Sequence, residues 1–544
     1  MKSRAKLPWI EGAFVFGLFI VGLLIRSYHI STLAAYPDEL TYASRGIQIV
    51  AANWAWPSSQ MWDQPPLFTY IIAFFTAAFG ASLNSLRMIS VLFGSITIVI
   101  AYFLGKSMYG RIAGAIGAVG VTFDGFHILY SRLLYIEALA NALILCSILL
   151  FWEGIVKKKS LKVSILGGIV FGLALDSKYI SMVAGVALFV FLVLYSRKIG
   201  KPFPGRQVIA YFATSILMYV PVLIDLAVNN ANPFYFDLVG RFQQSNVNVL
   251  ETSIRSGQFF ALGFQRFVQV QFHVSSTNPY GAFALSPFQV IAWTSVVTIV
   301  LVFFLFSFLK RSMPDGLLLI LFAALLAFAF EYPGKRVYFS LYPSLVFMIM
   351  LGRVGQSSIQ RISKAKSKSI LVPLAAVIII SITVIALAVN IAAVPVVYKN
   401  GFGDWDEIMP ITNYITNYVS INHSGNTSVA TDLAVLVFYL ELQQVHVQFV
   451  SMKQPVYYYN EPPINQTLMV PQKGEYPFYY VLSTTQIERE QPQFIILPSL
   501  DYKSTTTNFH TFINERYFQP LQTNLILLFQ IRPGNPNSNY TGCC

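Results

Sequence analysis

The chain has 544 residues, 55% of them hydrophobic and only 11% charged, against roughly 25% charged in soluble domains. That balance excludes an ordinary soluble globular protein. The formal net charge is +13, but the Lys and Arg residues cluster in short loops between apolar runs, which is a topology signal and does not point to nucleic acid.

Apolar runs long enough to cross a hydrocarbon core of roughly 30 Å recur along the first 395 positions. They predict about eleven spans: 8–29, 85–105, 112–129, 133–153, 162–179, 181–196, 207–226, 288–309, 316–331, 336–352 and 370–395. The first follows Lys2, Arg4 and Lys6; it exceeds a signal-peptide core and no small-residue cleavage site comes after it, so it reads as a retained span. With the N-terminus inside, Lys106/Arg111, Lys157 to Lys162, Arg197 to Arg206, Lys310/Arg311 and Arg353 to Lys368 all become cytoplasmic.

The run Leu67 to Phe79 is apolar but too short to span, and counting it as a span would turn every later basic loop outward. It is therefore expected to lie along the membrane surface in the first outer loop. The remaining outward pieces are a loop over 227–287 and everything from 396 to 544. Sequons at Asn422, Asn426, Asn465 and Asn539 all fall in that tail.

A helix-like stretch at 405–419 and strand-like runs at 428–430, 494–497 and 525–531 make the tail an expected α/β domain. The three cysteines, Cys146, Cys543 and Cys544, specify no disulfide framework. A terminal Cys-Cys can mark prenylation in cytosolic proteins, but this topology places it outside. The expected organisation is a multi-pass plasma-membrane module over 1–395 and an extracytoplasmic domain over 396–544.

Ionisable side chains at membrane depth are costly and mark functional sites by default. Here they gather at the outer ends of the predicted helices: Asp38, Glu39 and Asp63 in the first outer loop, Asp124, Arg132 and Glu137 around the second, Asp176 and Lys178 at the end of the fifth span, and Arg336 before the tenth. Asp38-Glu39 suits a helix start, and equally a carboxylate positioned to take a proton from an acceptor hydroxyl. Pro65-Pro66 makes a rigid turn after Asp63 and Gln64.

Arg132, Lys178 and Arg336 are of the type and level to stabilise a phosphate as it leaves a sugar. Simple snorkelling of Arg132 and Lys178 and an Asp176–Lys178 pair remain open alternatives. His29, His127 and His273 read as interfacial side chains. No zinc spacing, Walker loop or Rossmann glycine set is present.

The ordered set of Pro-Asp-Glu at 37–39, Gln-Pro-Pro-Leu at 64–67, Ser131-Arg132 with Glu137, Ser177-Lys178-Tyr179, Lys335-Arg336 and Tyr342-Pro343 resembles a known family. It looks like the protein O-mannosyltransferase and aminoarabinose-transferase superfamily, also called glycosyltransferase family 39-like, over about residues 8–353. The resemblance implies the GT-C membrane fold and an inverting transferase that moves a mannose-like hexose from a polyprenyl- or dolichyl-phosphate donor on the outer face. It implies Asp38 as catalytic base with Glu39 beside it, Lys178 and Arg336 near the donor phosphate, and Glu137 for the acceptor or a divalent cation; the residue pattern itself adds Arg132 to the phosphate group and Asp63 to the acceptor or cation group.

Gln64 stands where many relatives carry Lys or His, which removes the support for a charge contact from that position. The 227–287 loop is too short for the β-trefoil that eukaryotic O-mannosyltransferases insert there, so protein O-mannosylation is not implied. The acceptor is expected to be a protein, a glycan or a lipid. Two rivals stay in view: a secondary transporter, whose charges would sit near the bilayer midplane on paired repeats, and a non-catalytic outer-face receptor or assembly protein.

Overall fold

The computed structural model describes residues 7–28, 37–54, 65–199, 203–228, 287–310, 312–331 and 341–364, isolated positions such as Ile30, and one helix and seven strands between 405 and 531. The chain divides into two compact units, residues 1–30 with 45–400 and residues 31–44 with 401–544. The segment 31–44 thus groups with the tail, whereas the sequence reading assigns it to the membrane module.

The helices in chain order are α1 (Leu7–Ser27), α2 (Pro37–Ala51), α3 (Leu67–Phe79), α4 (Leu83–Tyr109), α5 (Arg111–Phe123), α6 (Gly125–Arg132) and α7 (Ile136–Phe151). There follow α8 (Leu161–Ser177), α9 (Ser181–Ile199), α10 (Gly205–Val228), α11 (Pro287–Leu309), α12 (Met313–Glu331) and α13 (Leu341–Lys364). Among the described residues four helices are long and apolar enough to cross a membrane: Trp9–Ser27, Leu83–Tyr109, Ile136–Val156 and Gly205–Ile224. The pair α5 and α6, bent by 56°, makes a fifth candidate. The apolar parts of α9, α11 and α12 are shorter, and most of 370–395 lies outside the described residues.

Small residues set the closeness of packing, as expected where helices cannot be driven together by water. A Cβ on Gly105 of α4 would stand 2.9 Å from the Cα of Gly114 on α5, so the two backbones meet directly. On α8, a Cβ on Gly168 would lie 2.9 Å from the Tyr211 carbonyl carbon of α10, and one on Gly172 2.7 Å from the Ser215 oxygen. The core between these helices is filled by Ile98, Ile144, Phe151, Phe171, Phe191, Leu321 and Phe347, all at most 3% exposed.

Three differences from the sequence reading have local causes. The run 112–129 is not one straight helix: Asp124 takes an extended conformation and its Oδ1 accepts the Phe126 amide at 3.1 Å, ending α5 and capping α6. Helix α13 begins at Leu341 and continues through Arg353 to Lys364, where the sequence suggests a loop. Its polar half is pinned: Gln356 accepts the Ala113 amide at 3.0 Å, and Arg353 pairs with the buried Asp315 at 3.3 Å. Helix α7 runs on into a π-helical turn over Trp152–Val156.

The basic residues that close the α4–α5 and α7–α8 turns meet acidic partners. Glu11 is shared by Lys106 and Arg111, and Glu153 by Lys157, Lys159 and the Ser107 hydroxyl. Most of these cations are substantially exposed, so each pair contributes little to stability, about 0–1 kcal/mol.

In the second unit, helix α14 (Trp405–Asn422) accompanies a mixed five-stranded sheet in the order β2-β1-β5-β7-β6. The strands are β1 (Ser428–Thr431), β2 (Gln448–Val450), β5 (Phe494–Pro498), β6 (Tyr517–Gln522) and β7 (Ile526–Ile531). β1 runs parallel to β2 and β5, while β7 is antiparallel to both β5 and β6. A separate antiparallel pair joins β3 (Lys453–Pro455) to β4 (Tyr480–Leu482). Tyr418 stacks edge-on against Phe494 at 5.0 Å, and the Tyr414 hydroxyl donates to Gln530 at 2.8 Å, fixing the helix on the sheet.

Candidate functional site

Helices α7 and α8 pack against each other, with the start of α7 beside the end of α8. Glu137 stands in the first turn of α7 and Lys178 caps α8 in an extended conformation. Each charge therefore complements its own helix dipole, and the two meet as a salt bridge with side-chain exposures of 4% and 1%. The end of α8 is further tied by the hydroxyls of Ser177 and Ser181, both donating to the Ala174 carbonyl, at 2.7 and 2.8 Å. Lys178 is thus not the partner of Asp176.

Arg132 closes α6, a short turn before α7. It is 1% exposed, and its Nη2 donates to the Tyr28 carbonyl at 2.7 Å. Arg87, near the start of α4, donates to the Ile30 carbonyl at 2.9 Å. Two guanidinium groups thereby hold the main chain where α1 ends, just before the segment that carries Asp38. The turn between α6 and α7 is fixed by Ser90, whose hydroxyl bonds both the amide and the carbonyl of Tyr135 at 3.1 Å. These clamps account for the burial of Arg132; it does not snorkel.

The break between α5 and α6 is supported by groups that were not singled out together in the sequence. Arg26 of α1, fully buried, donates to the carbonyls of Val121 at 3.1 Å and Thr122 at 3.4 Å, which the break leaves without helical partners. Its Nη2 is also 2.8 Å from His127 Nδ1. A guanidinium only donates, so that ring nitrogen accepts and the imidazole is neutral with its proton on Nε2. Asp124 receives the Ser344 hydroxyl of α13 at 2.9 Å on its second oxygen. In the sequence this node shows as an Asp-Gly interruption inside an apolar run, with Asp124 among the ionisable residues at the helix ends.

Asp38 and Glu39 lie in the first turn of α2, which begins at Pro37, a residue suited to the first helical position. Glu39 is fully buried. Asp63, Gln64 and Arg336 lie outside the described residues, as do His29 and His273. Among the described residues no group of three or more His, Cys, Asp or Glu is placed to share a metal ion. The structure therefore brings Lys178 and Glu137 into contact, and puts Arg132 at the adjoining helix end.

Residues 63–231 match the family model described as dolichyl-phosphate-mannose-protein mannosyltransferase. The chain superimposes on ArnT from Cupriavidus metallidurans bound to undecaprenyl phosphate, with a TM-score of 0.56, 12% identity, and 97% of this chain and 99% of that one covered. It also superimposes on the archaeal oligosaccharyltransferase AglB from Archaeoglobus fulgidus in complex with an inhibitory peptide and a dolichol-phosphate. There the TM-score is 0.58 and the identity 13%, over 91% of this chain and 70% of that one. No curated protein matches the chain.

Proposed function

We propose, from the premise that this chain is a GT-C-fold membrane protein related to glycosyltransferases that use lipid-linked sugar donors, that it transfers a hexose from a polyprenyl-phosphate sugar to an acceptor hydroxyl on the outer face. Lipid tails lie between the helices and the sugar phosphate reaches the helix ends that carry Lys178 and Arg132, with Arg336 as a further cation for it. The Asp38 carboxylate takes the proton of the acceptor hydroxyl as its oxygen attacks the anomeric carbon. The bond from that carbon to the phosphate oxygen breaks on the opposite side, so the configuration inverts and polyprenyl phosphate leaves as the anion.

The observation that carries this reading is the buried Lys178–Glu137 pair. A buried ion pair is a poor device for stability, since well-packed apolar residues do as well or better. It is a good device for holding an ammonium in a dry place. An ammonium has three donors, so an arriving phosphate oxygen shares the cation with Glu137. Glu137 on this reading orients Lys178, and Glu39 supports the turn that presents Asp38. The acceptor is a protein, a glycan or a lipid headgroup.

The test is transfer from radiolabelled polyprenyl-phosphate mannose and glucose by the full chain in lipid, with crude surface glycoprotein and lipid as acceptors. The expected result is transfer by wild type, and its loss in Asp38→Asn with donor binding retained. A wild-type protein that neither binds nor turns over any carrier-linked sugar overturns the reading in favour of a transporter or receptor.

A further inference from the structure

The α8–α10 interface is laid out in steps of four. Gly168 faces Tyr211, and Gly172 faces Ser215. Both numbers rise together, so the helices run in the same direction and the next pair along is Asp176 opposite Tyr219. Here the small residue gives way to a carboxylate.

Asp176 Oδ1 and the Tyr219 hydroxyl are both sealed from solvent, and neither has a hydrogen-bond partner among the described residues. Tyr219 is only 4% exposed. No described cation acts on Asp176. Lys178 is two positions on, a spacing at which side chains do not face each other, and it is engaged with Glu137.

A third group completes the cluster. Helix α3 packs against α8, and its Tyr70 has its phenol pushed up, first by burial and then by the charge of Asp176. Tyr219 also lies within the field of that carboxylate. Three elements, α3, α8 and α10, thus bring one carboxylate and two phenols together beside the helix end that bears Lys178. Sealed polar atoms without partners are costly in a folded protein, and two of them facing each other across one interface call for a group that completes them.

We propose that Asp176, Tyr219 and Tyr70 form a subsite for the hydroxyl groups of the sugar carried by the lipid-phosphate donor. The proposal rests on the glycosyltransferase reading above. A carboxylate accepts from two neighbouring sugar hydroxyls at once, and a phenol both donates to and accepts from a third. The donor is the source because Asp176 and Lys178 belong to the same end of α8, so a phosphate held at Lys178 keeps its attached sugar at that helix end.

Binding measurements on the full chain in lipid nanodiscs separate the outcomes, using polyprenyl-phosphate mannose, polyprenyl-phosphate glucose and sugar-free polyprenyl phosphate without acceptor. Asp176→Asn is expected to weaken binding of at least one sugar-bearing donor by about 10- to 100-fold, the loss of a hydrogen bond to a charged group. Tyr219→Phe should weaken it several-fold, and both should leave sugar-free polyprenyl phosphate unchanged. Without donor, both variants should melt at or above the wild-type temperature, because one removes a buried charge and the other a buried hydroxyl that lack partners.

Unchanged binding of both donors by both variants overturns the subsite while leaving the transferase reading intact. So does an equal loss of sugar-free lipid, or a lower melting temperature, either of which would mean a structural role. Wild type that binds polyprenyl phosphate no better than uncharged polyprenol overturns the transferase reading and the subsite with it.

Discussion

Arg132 at the end of α6 donates to the main-chain oxygen of Tyr28 just past α1, across 2.7 Å. The contact ties the turn between α6 and α7 to the exit of the first helix, from which the chain continues to Asp38. Arg132→Lys keeps the charge but loses the planar fork that reaches the carbonyl. It should lower stability by about 1–3 kcal/mol and lower transfer, with Arg132→Gln lowering transfer further at similar stability. Equal transfer by the two variants would show that the charge itself does nothing.

The Lys178–Glu137 pair separates stability from chemistry. Lys178→Met strands a buried carboxylate and should destabilise the fold by about 3–5 kcal/mol. The double variant Lys178→Met with Glu137→Leu should recover most of that loss in thermal unfolding, yet transfer no sugar. A double variant with near-wild-type transfer would remove Lys178 from the phosphate site.

The glycine steps on α8 should be intolerant. Gly168→Val adds a side chain where even a Cβ meets the Tyr211 main chain, so α8 and α10 must part. Overpacking of this kind costs about 1–3 kcal/mol or more, and because α8 also carries Asp176 and Lys178, transfer should fall with it. Gly12→Ala on α1, where a Cβ meets nothing within 4 Å, serves as control. It should be neutral or stabilising by up to about 1 kcal/mol.

Asp124 holds the bend by two contacts, one per oxygen. Ser344→Ala removes the one from α13 and should cost about 1–3 kcal/mol. Asp124→Ala removes both and should cost more, with faster hydrogen exchange confined at first to α6. Exchange that speeds up uniformly through α5 and α13 instead would mean that the bend is held by packing alone.

The helix ends were readable where sequence punctuation is local. The bounds 67–79 of the short apolar run are those of α3, because Pro66 and Gly80 punctuate it at either end. The Lys178–Glu137 contact was not readable, since it depends on how α7 and α8 pack across 41 positions. The nearer candidate, Asp176, lost because two residues along a helical end is the wrong angular step. The role of Arg26 is hidden for a related reason: most of its partners are backbone carbonyls, and a sequence does not display which carbonyls a bend will release. The run of α13 beyond 352 was hidden by its arginines, which look like loop residues until Asp315 and Tyr109 are set beside them.

Arg26, Arg87 and Arg132 all grip main-chain oxygens, those of Val121, Thr122, Ile30 and Tyr28. An oxygen of that kind is present whatever side chain the position bears. A change of side chain at any of the four positions leaves the arginine its acceptor, so what Val121 and Thr122 must still satisfy is the packing of the core in which they are buried.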